Sequence, residues 1–480
     1  MLDINFENTN QKIHFIGIGG ISMSGLAEIL VKKGFKVSGS DMKNSKITRH
    51  LEQLGVDFHL GHLPSNIKED LDLVVYTAAV KEDNPELMEA RKKNIPTMDR
   101  AEFLGQIMKN YPYAIAVSGT HGKTTTTSML SHILLETKKD PTISVGGILD
   151  AIGGNIRTGH SDYFITEACE YCDSFLKFYP YIGIILNIEE DHLDYFKDIH
   201  HIMKSFTAFA KRIPREGALV INGDIENIHA ILDEVNCRVI TFGTDASRVM
   251  WTAANISYNE KACGSFDLFY QGKNMGRISL SVPGIHNIYN ALAACACAHA
   301  LDISVEDMAN GLKKFVGTHQ RFEIKGDLKG ITVVDDYAHH PTEIKATLAV
   351  ANRYPHNRLW CVFQPHTYSR TKAFLKEFAE ALTAADHIIL TDIYAAREKD
   401  LGEVHSKDLQ REIEKLGKKA YYFSDFESIE NFLLQNCIPG DLLITMGAGD
   451  VNIIGEDLLG TNLSTLSTEL STEPQRISCE

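Results

Sequence analysis

No apolar run in the 480-residue chain approaches 18 residues, so no segment reads as a membrane-spanning helix. A basic block is also missing: Lys and Arg total 48 against 63 Asp and Glu, for a formal charge of -15. That balance excludes nucleic acid as a general partner. The start, MLDINFENTN, carries Asp3 and Glu7 where a secretory leader would place Lys or Arg before an apolar stretch, so a cytoplasmic protein is expected. Its nine cysteines are odd in number and scattered, which suits reduced thiols rather than a disulfide framework. What is present is the composition of a globular enzyme, 44% hydrophobic and 23% charged. At about 150 residues per domain the length suggests roughly three domains.

The chain reads as α/β throughout. KIHFIGIGG, ISMSGLAEILVKKG and FKVSGSD form a strand, a glycine-rich turn, a helix and a second strand, and LDLVVYTAAV continues the pattern. A second opening of the same kind begins at Tyr113, where YAIAVSG runs into THGKTTTTSMLSHILLE. DYFIT, IGIILNI, GALVIN and RVITFG are further strands, followed by an antiparallel stretch over 251–282 and the helix NALAACACAHAL. GITVVDD, RLWCVFQ, HIILTD and DLLITMG, separated by helical stretches such as TKAFLKEFAEALTAA, make a third parallel unit. Domains are expected over 1–109, 110–316 and 317–460, with a disordered Ser/Thr-rich tail over 461–480.

Two turns carry phosphate chemistry. Gly17, Gly19 and Gly20 match the start of GxGxxG, with Ser22 at the third position and Met23 and Ser24 following. Small residues there let a diphosphate approach backbone N–H groups at a helix N-terminus, and Asp41 closes the next strand, where a carboxylate can accept from a nucleoside. A tight turn without a ligand is the alternative. The second turn, Ser118 to Thr125, ends in the Gly122-Lys123-Thr124 of a phosphate loop, although Val117 replaces its first glycine. Gly119, Thr120, His121 and Gly122 would expose backbone donors, Lys123 would neutralise phosphates, and the Thr124 hydroxyl would ligate Mg²⁺. A kinase needs only one such cradle and a dehydrogenase has no use for GKT. The pair points to an ATP-driven enzyme whose other substrate is itself a nucleotide derivative.

Glu167 closes DYFIT, and Glu189, Glu190, Asp191 and His192 follow the next apolar strand. If those strands are neighbours, Glu167 and His192 reach one cation at the sheet edge. A solvated acidic loop is the other reading. Cys169 and Cys172 form a CxxC without a second pair, so free thiols are expected. His286, Asn287 and Asn290 stand at a helix start, suited to a purine edge or to capping, and Arg321, Asp335 and Asp336 sit near the presumed domain junction.

The ordered set GIGGISMSG, SGTHGKTTTT, TEACEYCDSFL, NIEEDHLDYF, PGIHNIYNALAA, GTHQRFE, VVDDYAHHPTEI, FQPHTYSRT and TMGAGD resembles the Mur ligase family over about 11–459. The resemblance implies a Rossmann-like N-terminal domain for a UDP-sugar, a central phosphate-loop ATPase domain and a Rossmann-like C-terminal domain. GIGGISMSG and DDYAHHPTE look most like the branch that joins L-alanine to UDP-N-acetylmuramate, with ATP and Mg²⁺, in peptidoglycan precursor synthesis. In that scheme Lys123, Glu167 and His192 are catalytic, and Thr124, Glu167 and His192 hold metal. His286, Asn287, Asn290, Arg321 and Asp336 join the loop around ATP. Gly17, Gly19, Gly20, Ser22, Met23, Ser24, Asp41, Tyr337, His339, His366, Arg370 and Tyr394 serve the sugar nucleotide and the amino acid.

The chain departs from the family pattern at Ser22, where glycine is usual, and at the acidic segment, which reads Glu167-Ala-Cys169-Glu170-Tyr-Cys172-Asp173. Arg397 stands where Gly is common, and neither Lys204 nor Lys211 sits at a trustworthy spacing for a carbamylated lysine. Three other readings remain: a sister ligase that adds a preformed peptide, a NAD-dependent oxidoreductase built on Gly17 to Asp41, and a non-catalytic nucleotide binder.

Overall fold

A computed structural model describes residues 3–460, apart from Ala78 and Arg397. The tail expected from Thr461 onward therefore lies outside the described residues. Three sheets organise the chain. The first holds β1 (Lys12–Ile16), β2 (Lys36–Asp41), β3 (Asp57–Leu60), β4 (Leu73–Tyr76) and β5 (Thr97–Asp99), all parallel, in the order β3-β2-β1-β4-β5. Helices cover both faces, which is why β1 and β4 are runs of buried apolar residues instead of alternating ones. The strand order reverses between β1 and β4, so the ligand crevice of such a sheet opens there, at the carboxyl ends.

The central sheet has ten strands: β6 (Tyr113–Ser118), β7 (Thr142–Leu149), β8 (Gly154–Arg157), β9 (Tyr163–Glu167), β10 (Ile182–Ile185), β11 (Ala218–Asn222), β12 (Arg238–Phe242), β13 (Trp251–Tyr258), β14 (Cys263–Tyr270) and β15 (Lys273–Pro283). Their order is β15-β14-β13-β12-β11-β10-β6-β9-β7-β8, with antiparallel hairpins at both edges. This corrects the expectation that β9 and β10 are neighbours. β6, buried over five of its six residues, pairs with both of them, because a fully apolar strand leaves no edge to solvent. The phosphate loop therefore emerges between the strands that lead to Glu167 and His192.

The third sheet contains β16 (Glu323–Leu328), β17 (Ile331–Asp336), β18 (Leu359–Phe363), β19 (His387–Leu390), β20 (Ala420–Tyr422) and β21 (Leu442–Met446), in the order β16-β17-β21-β18-β19-β20. β16 and β20 escaped the sequence reading. The edge strand EIKGDL has no buried residue and hence no apolar signature, and β20 is three residues long. The helical stretch read across TKAFLKEFAEALTAA divides at Phe374 into Tyr368–Ala373 and Leu375–Leu382.

The junctions differ in chemistry. One apolar core runs from Ile13 and Phe15 through Phe103 and Met108 to Phe164, Phe175 and Phe206, so the first sheet and the central one share buried contacts. Gly105 allows that approach, since a Cβ there would lie 2.0 Å from the Lys177 carbonyl oxygen. The third sheet instead has cores of its own. It meets the central domain through polar contacts such as His121 with Glu343, Thr342 with Glu189 and Arg370 with Asp191. An apolar seam fixes the first pair of domains, whereas polar contacts such as those to the third domain can be exchanged for water or ligand.

Candidate active site

The phosphate loop connects β6 to the helix Lys123–Glu136. Gly119 and Gly122 have φ of +140° and +84°, and a Cβ on Gly122 would fall 2.6 Å from Asn290 Oδ1, so both positions demand glycine. Asn187 pins the loop: its Oδ1 accepts from the His121 N–H at 2.8 Å and its Nδ2 donates to the His121 carbonyl at 3.1 Å. The helix begins without a side-chain cap and without an acid in its first turn, which leaves its positive end open to an anion. Lys123 folds back across the loop, donating to Gly119 O at 2.6 Å and to Glu170 Oε2 at 3.0 Å. Burial disfavours its charge, but the Glu170 carboxylate outweighs burial and keeps it protonated.

Thr124 Oγ1 donates to Glu167 at 3.1 Å, and Glu167 also accepts from the Gly146 N–H. Burial raises the Glu167 carboxyl. His192 lies beyond the end of β10 with φ of +52°, its ring 4.0 Å from Glu170 Oε1 and 4.7 Å, centroid to centroid, from Tyr171. Burial pulls it below the usual imidazole range, so it stands neutral with a lone pair to offer. A hydroxyl and a half-buried carboxylate beside a positive helix end, with a neutral imidazole next to the Glu170 that pairs with Lys123, form an oxygen-rich donor set that fits Mg²⁺.

Other expected residues fall into two cavities between the central and third domains. One, of about 260 Å³, is lined by His121, Gly122 and Thr125 from the loop, by His286, Asn287 and Asn290, and by Arg321, Asp336 and Glu343 from the third domain. Leu186, Phe242, Phe315 and Val350 supply apolar walls. Burial drives His286 down to about 4. Asp336 turns inward, accepting from Phe322 N at 2.7 Å and Ala338 N at 2.8 Å, and so holds the Arg321 segment to its own domain.

The second cavity, of about 290 Å³, gathers His192, Tyr337, His339, His366 and Arg370, with Ala373, Phe374 and Ala448 narrowing it. Arg370 Nη2 donates to Asp191 Oδ1 at 2.8 Å across the domain gap, and its Nη1 lies 3.2 Å from His366 Nδ1. His339 is pushed down to about 4 by burial. Tyr394 stacks on His366 with centroids 5.8 Å apart.

The first cradle lies at the other junction, between the first and central domains. Gly17, Gly19 and Gly20 turn between β1 and the helix Ile21–Lys32, and Gly19 N donates to Asp41 Oδ2 at 2.9 Å. Asn155 Nδ2 of the central domain donates to Ile21 O at 3.3 Å, tying cradle to centre. Two expected contacts are not offered as side chains: Met23 is buried in the core, and the Ser24 hydroxyl donates back to Ile21 O at 2.9 Å. They lie on the inner face of their helix.

Sequence reasoning gave no role to Thr342 and Glu343, which join the third domain to the central one. Glu343 lies 3.1 Å from His121 Nδ1 and 3.9 Å from Arg321, while Glu189 accepts from Thr342 at 2.7 Å. The signal for Glu343 was its place in the first turn after Pro341, where a carboxylate favours the helix dipole. His121, Glu189 and His340 lie close enough to cage a metal ion. Most of their atoms are engaged: His121 Nδ1 is paired with Glu343, and His340 contacts Thr342 N at 3.3 Å and Glu190 O at 3.1 Å, while His121 Nε2 has no hydrogen-bond partner and lies 3.7 Å from Glu189 Oε2.

Fold and site define a phosphate-loop α/β protein of three sheets, with cavities between the second and third and a second glycine-rich turn where the first meets the second. Residues 12–112, 117–298 and 320–449 match, in turn, the Mur ligase family catalytic domain, the Mur ligase middle domain and the Mur ligase glutamate ligase domain. The chain belongs to the Mur ligase family. It is 56% identical to a UDP-N-acetylmuramate–L-alanine ligase of Acetivibrio thermocellus over 95% of this chain and 97% of that one. To the enzyme of that name from Clostridium botulinum, strain Loch Maree, it is 55% identical over 94% and 98%. Among solved structures, a UDP-N-acetylmuramate-alanine ligase from Thermotoga maritima superposes with a TM-score of 0.78 at 30% identity, covering 95% of this chain and all of that one. A murein peptide ligase from Psychrobacter arcticus follows at 0.67 and 25%, covering 97% and 100%.

Proposed function

We propose that this chain is a cytoplasmic ligase that joins L-alanine to UDP-N-acetylmuramate at the expense of ATP. The observation that carries the reading is that Lys123 lies between Gly122 and Thr125, which line a purine-sized cavity with apolar walls, and shares Glu170 with His192, which lines a second cavity with Arg370 and other histidines. The alanine ligases that are 54–56% identical over more than nine-tenths of the chain support the choice of substrates. ATP occupies the first cavity, its phosphates on the loop 119–125 and its base against His286, Asn287 and Asn290. Arg321 meets it from the third domain, with Asp336 holding the Arg321 segment in place. The sugar nucleotide takes the first cradle with its carboxylate toward Glu167, and L-alanine takes the second cavity.

The sugar carboxylate attacks the γ-phosphate to give an acyl phosphate and ADP. The alanine amine then attacks the acyl carbon, and phosphate leaves from the tetrahedral intermediate. Both steps gather negative charge on phosphoryl oxygens, which Lys123 neutralises once it exchanges Glu170 for phosphate. Thr124, Glu167 and His192 would hold a Mg²⁺ ion, which would supply positive charge to offset the repulsion between phosphate and carboxylate. Arg370, released from Asp191, holds the alanine carboxylate. With its imidazole at about 4, His339 serves as a neutral hydrogen-bonding partner rather than a base. Phosphate release from ATP with UDP-N-acetylmuramate tests the scheme: turnover that requires L-alanine supports it. Turnover with a tripeptide in place of alanine points to the sister ligase, and no turnover with either overturns the assignment.

A further inference from the structure

The sequence left Arg100 unassigned, yet it carries a half-buried charge beside the first cradle. It opens the helix Arg100–Met108 directly after β5, and its Nη1 donates to Ser22 Oγ at 3.1 Å, 78 residues away in the chain. Among the described residues no carboxylate lies within ion-pair distance of it. The adjacent acid is committed elsewhere: Asp99 caps its helix through Glu102 N and pairs with Lys177. A guanidinium has five N–H donors, and withdrawing it partly from water is unfavourable unless an anion compensates. One bond to a hydroxyl does not.

The topology says which anion. Asp41 flanks the cradle on the β2 side, whereas Arg100 flanks it on the β4 and β5 side, where the strand order reverses and the crevice opens. The central domain meets the cradle beside Arg100, where Asn155 Nδ2 donates to Ile21 O at 3.3 Å. A diphosphate lying across the start of the helix Ile21–Lys32 with its nucleoside at Asp41 therefore presents its outer phosphate to Arg100, and the sugar continues toward the phosphate loop. Resting on the reading of this cradle as the sugar-nucleotide site, we propose that Arg100 binds the sugar-bearing phosphate and that Ser22, the residue in place of the family's glycine, holds the guanidinium there.

Calorimetric titration of the full chain with UMP, UDP and UDP-N-acetylmuramate tests this, with ATP binding and melting temperature as controls for folding. Loss of a charge-assisted bond predicts that Arg100→Ala weakens UDP and UDP-N-acetylmuramate by about tenfold to a hundredfold, while UMP, which lacks the outer phosphate, stays within about twofold. Arg100→Lys recovers part of the loss, because a point charge remains without the fork. Ser22→Ala weakens UDP by about fivefold in the parent and has no further effect in Arg100→Ala. Unchanged UDP binding in Arg100→Ala, or an equal loss for UMP, overturns the assignment of Arg100 and leaves the cradle reading standing. Failure of the parent to bind UDP or UDP-N-acetylmuramate overturns both. If Arg100→Ala does not fold, Arg100→Lys decides, and an unaltered ratio of UDP to UMP affinity refutes the proposal.

Discussion

Lys123 and Glu170 form a buried pair whose two halves have separable consequences. The Glu170 residue is 2% exposed, and both of its oxygens lie within 3.2 Å of Lys123 Nζ, which also supplies donors to Gly119 O and Thr120 O. Removing one partner of such a pair leaves an uncompensated buried charge, at a cost of about 3–5 kcal/mol, while replacing both by neutral groups of similar shape is often nearly neutral. Lys123→Met should therefore destabilise the chain by about that amount, and Lys123→Met combined with Glu170→Gln should regain most of it. Turnover behaves differently. Loss of the cation facing the transferred phosphate costs about 3 kcal/mol in the transition state, some hundredfold in rate, and the second substitution cannot restore it. Denaturant unfolding followed at the central domain, together with phosphate release, measures both quantities. Recovery of turnover in the double variant, or equal stability of the single and double variants, would refute the reasoning.

Three further outcomes are expected. His121 is raised to about 9 by Glu343 and Glu189 against the opposing effect of burial. A histidine raised above its unfolded value contributes stability that is full below about 6.5 and lost as pH climbs through about 9, so the clasp between the central and third domains should loosen across that window. Small-angle scattering should show expansion there, and His121→Asn should abolish the pH dependence; an identical profile in the variant refutes the clasp. Gly105→Ala places a methyl against the Lys177 carbonyl and should cost about 1–3 kcal/mol by thermal unfolding, with a parent-like melting curve counting against the close seam. His192→Ala should raise the Mg²⁺ concentration for half-maximal rate while ATP affinity changes little, and superposed Mg²⁺ curves would remove His192 from the metal set.

The two glycine-rich turns, the strands that feed them and the helices that follow were legible in the sequence, because each rests on local chemistry: positive φ, exposed backbone donors, and apolar runs bounded by turn residues. The family followed from the order of those motifs. Edge strands such as EIKGDL were not legible, since a strand with little burial leaves no apolar period to read. The neighbourhood of Glu167 and His192 was misjudged for a related reason. Sequence order suggested adjacent strands, but pairing is decided by which apolar edges bury each other, and β6 came between.

By itself, then, the sequence determined the three α/β units and the two glycine-rich turns that lead from strand to helix. Tertiary structure alone decided which polar side chains meet: His121 with Glu343 across 222 residues, Arg370 with Asp191 across 179 and Arg100 with Ser22 across 78. Helix and strand periods act within a turn or two, whereas ion pairs form wherever packing brings side chains within a few ångströms, and no local pattern records that distance.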